Sequence, residues 1–331
     1  MRRINGWLAA MLCGAIAMQA HAQSTWKPER TVEIAVGSAA GTGTDRTARL
    51  IQSIWTERKL MDVSSIVVNR PGGGSTVSFN FMNQRAGDPH NLLVTSYNLV
   101  TANLTGKTPL NYTDFTLISL LISEYIVYSV QKDSPIKSLA DLVAALKKDP
   151  GSVPAAVSSS VAGANHIALA LLAKAAGINP KQLKVVVFPG TGQALPALLG
   201  GHVGLFVNSA SATASPFING SIRPLAIAAP KRLPGPYASV PTLTELGIPV
   251  VADNWRMVIA PKGLTPAQTA YWDGAFKALA GSEAWNKELA TNHMANTYRT
   301  SAETTKYVAA EYKEIKELLT DLGLASTAPA K

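Results

Sequence analysis

Short apolar runs alternate along the chain with longer stretches in which apolar residues recur every three or four positions. Runs at 32–36, 65–68, 92–95, 126–131, 184–188, 203–207, 224–228 and 257–260 predict strands. Between them the spacing turns helical. Ser138 opens one helix, with Leu139, Leu142, Val143 and Leu146 as its apolar stripe and Pro150-Gly151 beyond its end. A second runs from about 165 to 175 and is closed by Gly177, and a third starts near 192 and stops at Gly200-Gly201. Beyond residue 260 the pattern is mainly helical. Thr265-Pro266 reads as an N-cap followed by proline at the first helical position, and Thr300-x-x-Glu303 reads as a capping box. Tyr307, Val308, Tyr312, Ile315, Leu318 and Leu319 then recur on one face. The alternation predicts an α/β fold with mostly parallel sheets flanked by helices. A chain of 331 residues is long enough for two units of about 150 residues. No internal repeat is visible and no Pro/Gly/Ser linker divides the chain, so strands crossing between the units would form a hinge.

Composition sharpens this picture. Hydrophobic residues make up 47% and charged residues 15%, which supports a sizeable core and argues against disorder. Arg2 and Arg3 precede an apolar stretch at 7–18 and an Ala20-His21-Ala22 site, the pattern of a secretory signal cleaved after Ala22. The stretch is short of the roughly 20 residues of a membrane span. The only cysteine, Cys13, lies inside that segment, so a cleaved product has no thiol for a disulfide, for catalysis or for a metal site. The formal charge is +9, or +7 without Arg2 and Arg3, because residues 1–22 hold no acid. Lys and Arg are scattered, with no basic–aromatic interleaving, which argues against nucleic acid and suits a small anionic ligand.

Motifs for chemistry fail one by one. Gly41-x-Gly43 has Arg46 where a dinucleotide fingerprint needs its third glycine, although Asp62 stands near the acidic position. Gly106-Lys107-Thr108 lacks the leading glycine of a P-loop, because position 101 is threonine. Gly37-Ser38-Ala39-Ala40-Gly41 places its serine one residue too early for a nucleophile elbow. Ser134-x-x-Lys137 has no accompanying S-D-N. His90, His166, His202 and His293 are too far apart for a zinc motif. No cofactor, metal site or catalytic residue is expected.

What survives is anion binding at helix starts. Gly41–Arg46 would put backbone N–H groups and the Thr42 and Thr44 hydroxyls at the positive end of a helix. The stretch from Ser158 repeats this arrangement, with Ser159, Ser160, Ala162 and Gly163 before a helix. A third candidate is Asn208, Ser209, Ala210 and Ser211, just past a strand, where ligands bind in open α/β sheets. For each loop an ordinary strand-to-helix turn is the alternative, and Asn208 could instead cap the next helix.

Several stretches together resemble one family, the Bug-type or TctC-like solute-binding proteins of tripartite tricarboxylate transporters. They are GTGTDRTARLI, VVNRPGGGSTVSF, SLADLVAALKKDPG, ANHIALALL, FPGTGQALPALLGGHVGLFVNSASA, and IRPLAIAAPKR followed by VPTLTELGIP, in the family's order over essentially the whole chain after residue 22. The resemblance implies a two-lobed periplasmic binding protein of the Venus-flytrap, type II-like class, with lobe 1 from 23–125 plus 256–331 and lobe 2 from 126–255. It implies a small di-, tri- or aromatic carboxylate as ligand, a monomer, no catalysis, and delivery to membrane permease subunits. The alternative is the same fold acting as ligand receptor for a membrane sensor kinase, and an exported hydrolase is the remaining alternative function. Carried over, the ligand positions are Ser38, Ala39, Ala40, Gly41, Thr42, Gly43 and Thr44; Ser158, Ser159, Ser160, Ala162 and Gly163; and Asn208, Ser209 and Ala210. Thr95, Ser96, Gly190 and Thr191 are further strand-end positions. The chain departs from the family where Ser38–Gly43 replaces P-x-G-G, where Val68 replaces an acid, and where Asn208 replaces an acid, the last favouring a more anionic or aromatic ligand.

Overall fold

The computed structural model describes residues 26–158 and 160–326. The export-signal reading of residues 1–22, with Cys13, and the candidate position Ser159 lie outside them. Among the described residues, β1 (Val32–Val36), α1 (Gly43–Glu57), β2 (Ser65–Asn69), α2 (Thr76–Asn83), β3 (Asn91–Thr95), α3 (Asn98–Leu104) and β4 (Phe115–Ser123) come first. Then follow β5 (Ile126–Gln131), α4 (Leu139–Lys148), β6 (Ala155–Ser158), α5 (Ala164–Ala175), β7 (Val185–Phe188), α6 (Thr191–Leu199), β8 (Leu205–Ser209), α7 (Ala210–Ile218) and β9 (Ile222–Ile227). The chain continues through β10 (Arg256–Pro261), α8 (Pro266–Gly281), α9 (Glu283–Thr291), β11 (Ala295–Arg299) and α10 (Ser301–Asp321).

The strands form two sheets, in the orders β11-β4-β10-β3-β1-β2 and β7-β6-β8-β5-β9. Both are mixed, which corrects the expectation of mostly parallel sheets. β1 runs parallel to β2 and β3, and β6 parallel to β7 and β8. β10 is antiparallel to β3 and β4, β11 to β4, and β5 to β8 and β9. The reason lies in how the chain passes between the sheets. β5 begins at the edge where β6 and β8 end, and β10 begins at the edge where β1 and β3 end. A strand that enters a sheet at that edge must run against those that finish there.

The local signals for helices hold. Ser138 accepts from the Asp141 N–H while Asp141 accepts from the Ser138 N–H, and the same reciprocal pairs join Thr265 with Gln268 and Thr300 with Glu303. Each face of the first sheet is covered by its own apolar layer. On one side Trp55, Trp272, Phe276 and Trp285 pack over Ile34, Val94 and Val258. On the other side α2, α3 and α10 contribute Phe79, Val100, Val308, Ile315 and Leu318, and this layer continues onto Ile167 and Ala170 of α5. The C-terminal helix thereby packs the two sheet units together, with Lys174 and Asp321 paired at 2.6 Å on the surface. Such an exposed pair adds little stability.

Candidate functional site

Registers bring the strand ends of the two sheets face to face. Thr95 at the end of β3 pairs with Met257 at the start of β10, and Arg256 pairs with Ile122 near the end of β4. Two residues separate β4 from β5, whose Ile126 pairs with Ser209 at the end of β8. A second crossing runs beside the first. The Asn254 N–H donates to the Glu124 carbonyl at 2.8 Å, and Tyr125 bridges Asp253. The β-to-α junctions before α1 and α3 therefore lie at the crossing end of the first sheet, and those before α5, α6 and α7 at the crossing end of the second.

In the first loop Thr42 is the N-cap of α1. The Ser38 hydroxyl lies 2.6 Å from both the Thr42 and Thr44 hydroxyls. Asp45, in the first helical turn and 2% exposed, organises this loop. Its carboxylate accepts from the Gly41 N–H at 2.8 Å, from Asn69 Nδ2 at 2.9 Å and from Arg49 Nε at 3.1 Å. Burial pushes this carboxyl upward, but the hydrogen bonds from Arg49, Gly41 and Asn69 outweigh it and hold it below its ordinary value. The Gly41 amide is thus already committed. A helix of this kind has no internal acceptors for its first N–H groups, so those of Gly43, Thr44 and Asp45 remain to face an anion. Ala39, Ala40 and Gly41 are exposed and Thr42, Gly43 and Thr44 half-buried. Gly37 is needed for packing rather than binding, because a Cβ there would lie 2.5 Å from the Ser78 hydroxyl.

In the second unit Ser158, Asn208, Asn165 and Thr191 form one buried polar network. Asn165 Nδ2 and Asn208 Nδ2 each donate to the Ser158 hydroxyl at 3.0 Å, and Asn208 Nδ2 lies 3.1 Å from the Thr191 hydroxyl. Asn208 Oδ1 accepts from the Ser209 N–H at 2.9 Å. Ser209, not Asn208, is the N-cap of α7, so the capping alternative for Asn208 does not hold. The Gly163 N–H donates to the Ser160 carbonyl at 3.1 Å. His166 serves the same turn: its Nδ1 accepts from the Ala162 N–H at 3.0 Å, and burial lowers its pKa, which keeps the ring neutral and able to accept. His166→Ala is expected to cost about 1–3 kcal/mol in a denaturant titration by leaving that buried N–H unpaired. Gly190 is the N-cap of α6, and Ser96 is half-buried just past β3. Thr95 is 4% exposed, and its hydroxyl has no partner among the described residues.

Between the two units lies an ion pair that sequence reading missed. Glu124, in the first crossing segment, and Arg256, at the start of β10, are both 3% exposed and joined carboxylate to guanidinium. Lone charges at the edges of apolar runs were their only signal. Asp45, Asn69 and Asn165 were also missed as supports of the loops. On the α10 side of the crossing lies a cavity of about 310 Å³, lined by Tyr97, Tyr125, Asp253, Arg299, Tyr307 and Glu311 among others. Burial, with the nearby Glu311 adding to it, pushes Asp253 up to about 7 against the opposing Ser123 and Arg299. Burial also raises Glu311, although Tyr97 and Trp255 donate to it at 3.1 and 3.4 Å. Among the described residues no three His, Cys, Asp or Glu side chains come together to hold a metal ion, and no helix is long and apolar enough to cross a membrane.

The family model for the tripartite tricarboxylate transporter family receptor, TctC, matches residues 48–324. The chain belongs to this receptor family. The UPF0065 protein of the gbd 5' region of Cupriavidus necator is 29% identical over 320 residues, which cover 96% of this chain and 95% of that one. An R. palustris protein solved with adipate has a TM-score of 0.75 at 24% identity, covering 90% of this chain and 99% of that one. MatC from Rhodopseudomonas palustris, solved with bound malate, has a TM-score of 0.72 at 24% identity, covering 88% and 99%. At that identity the two structures establish the fold, a two-lobed α/β architecture with mixed sheets.

Proposed function

We propose that this receptor acts in the periplasm and captures a small organic carboxylate between its lobes, residues 23–125 with 256–331 and residues 126–255. It then hands the ligand to the membrane permease subunits of a tripartite transporter, without chemistry of its own. One observation supports this reading: α1, α5, α6 and α7 all start at the sheet ends where the chain crosses between the two sheets, and in this reading their N-termini address one space from both lobes. Positive dipole ends and the first-turn N–H groups without an acceptor, a set that leaves out the Ala210 N–H held by the Tyr125 carbonyl, favour an anion from both sides. In that reading Ser38 to Thr44 grip one end of the ligand, while Ser158, Ser160, Gly163, Thr191, Asn208 and Ser209 grip the other, with Thr95 and Ser96 beside them. The buried Ala162 and Ala210 spend their N–H groups on His166 and on the Tyr125 carbonyl and serve as supports. The relatives solved with adipate and malate support a dicarboxylate, and the neutral Asn208 adds no charge to repel one.

The test is a thermal-shift screen of purified, refolded protein against adipate, malate, succinate, citrate and aromatic acids. At least one acid is expected to raise the melting temperature, since a ligand bound only to the folded state stabilises it. A neutral sugar or a cation that stabilises the protein where no organic acid does would sink the proposal. For the acid that binds, Thr44→Val and Ser160→Ala are each expected to weaken affinity by about 1.5–3 kcal/mol by calorimetry, the range for hydrogen bonds to charged groups. Unchanged affinity in both would move the site elsewhere.

A further inference from the structure

We infer that the buried Glu124–Arg256 pair is a strut that sets the spacing between the two carboxylate-gripping loops, making both residues positioning residues for a ligand they do not touch. The inference rests on the carboxylate-clamp reading above.

The pair reaches into each lobe by a separate contact. Arg256 Nη1 donates to the Thr47 hydroxyl at 3.2 Å, and that hydroxyl donates to the Gly43 carbonyl at 3.0 Å. The other side of the guanidinium lies against the Gly43 α-carbon, and a Cβ on Gly43 would collide with it. The first residue of α1 is therefore glycine because Arg256 passes beneath it. The strut thus accounts for the missing side chain at 43, and the Gly43 N–H keeps its part in the first-turn set. On the other side, Glu124 uses one carboxylate oxygen for Arg256 and the other for the Ser211 hydroxyl, at 2.7 Å, in the first turn of α7. Ser211 in turn lies 3.1 Å from the Ser209 hydroxyl, the N-cap of that helix. One continuous path thus runs from the first turn of α1 through two charges to the first turn of α7. Two backbone bonds brace it at the crossing, Asn254 N–H to Glu124 C=O and Ala210 N–H to Tyr125 C=O at 2.9 Å.

Stability is a weak reason to keep such a pair. Two charges taken out of water are often no better than well-packed apolar residues in the same volume. What an apolar pair could not do is hold a directional, two-ended link between helix starts in different lobes. Positioning errors of about 1 Å are enough to disable a preorganised site.

The test compares Glu124→Gln, Arg256→Met, their double variant and Ser211→Ala with wild type, using calorimetric titration of the acid that stabilises wild type most among adipate, malate, succinate and citrate. Circular dichroism checks folding at the titration temperature. The single charge variants are expected to weaken binding 10- to 100-fold, and the double variant no more than the weaker single, because both charges belong to one strut. Ser211→Ala keeps both charges and removes only the α7 end; it is expected to lose about tenfold in affinity and reads the strut even where a charge variant fails to fold. Small-angle scattering supplies the readout that a merely structural role would not move. Wild type is expected to compact on saturation with the acid, whereas saturated variants stay at the unliganded radius. Folded variants with dissociation constants within threefold of wild type, and with normal compaction, overturn the strut while leaving the clamp reading intact. A wild-type protein that binds none of the acids overturns the clamp reading, and the strut with it.

Discussion

Asp45→Ala is expected to destabilise the protein by about 2–4 kcal/mol and to weaken carboxylate binding at least tenfold. The side chain is buried, and its loss removes the acceptor for the Gly41 N–H and for Asn69 Nδ2 together. A hydrogen bond to a charged group contributes about 1.5–3 kcal/mol. Both donors are only part-buried and Asn69 Nδ2 keeps the Ser38 carbonyl at 3.0 Å, which holds the sum at the lower end. The Arg49 contact adds little, because that guanidinium is half in water. The effect on binding follows from the same bonds. Freed of Asp45, the Gly41 amide can turn away and the 38–44 loop loses its fixed entry into α1. Asp45→Asn keeps one acceptor oxygen and is expected to retain roughly half of both losses. Because the native carboxyl sits below its ordinary value, its contribution is present above pH 4 and lost as the pH falls through the lowered value. Urea titrations and calorimetry of the two variants check both effects, and an Asp45→Ala protein with wild-type affinity would remove Asp45 from the account of the loop.

The second large effect has the opposite pH sense. Asp253 faces the cavity behind the crossing, with Glu311, Arg299 and the hydroxyls of Tyr97, Tyr125, Tyr307 and Ser123 around it. Its pKa is raised from the ordinary carboxylate value to about 7, so the folded protein favours the neutral acid. That contribution is complete below about pH 4 and is lost as the pH rises through 7, where folding must bury a charge. Asparagine is neutral throughout. Asp253→Asn is therefore expected to match wild type near pH 4 and to be more stable above pH 8, by an amount on the order of 4 kcal/mol. Chemical denaturation at pH 4.5 and 8.5 measures the difference. Equal stability gaps at both values would show that Asp253 is not held neutral by its burial.

Several parts of this architecture were legible in the chain because their causes are local. Ser138 with Asp141, Thr265 with Gln268, and Thr300 with Glu303 announce helix starts within four residues of sequence. The small residues at 38–44, at 158 and 160–163, at 190–191 and at 208–210 stand at junctions between a strand and the helix that follows it. Other parts depend on distant partners. β6 is a strand of two alanines, a valine and a serine, which forms because β7 and β8 flank it on either side. β4, mostly apolar through 117–122 and running almost straight into β5, was absent from the predicted strands, and only the fold shows it as a strand of the first sheet. β11, with Asn296, Thr297 and Arg299, is polar along much of its length and is held by its register with β4. The supports of the site were hidden for the same reason. Arg256 meets Glu124 across 132 positions and Thr47 across 209, separations at which no spacing rule operates.

Amide hydrogen exchange of the wild-type protein, with and without a saturating organic acid from the screen, tests the central claim most directly. The account predicts that the acid slows exchange at the first-turn amides of α1, residues 43–45, and of α5, residues 164–166, in the same titration, because one ligand is gripped from both lobes. Protection confined to a single lobe, or centred on the cavity around Asp253 and Glu311 instead, would contradict it.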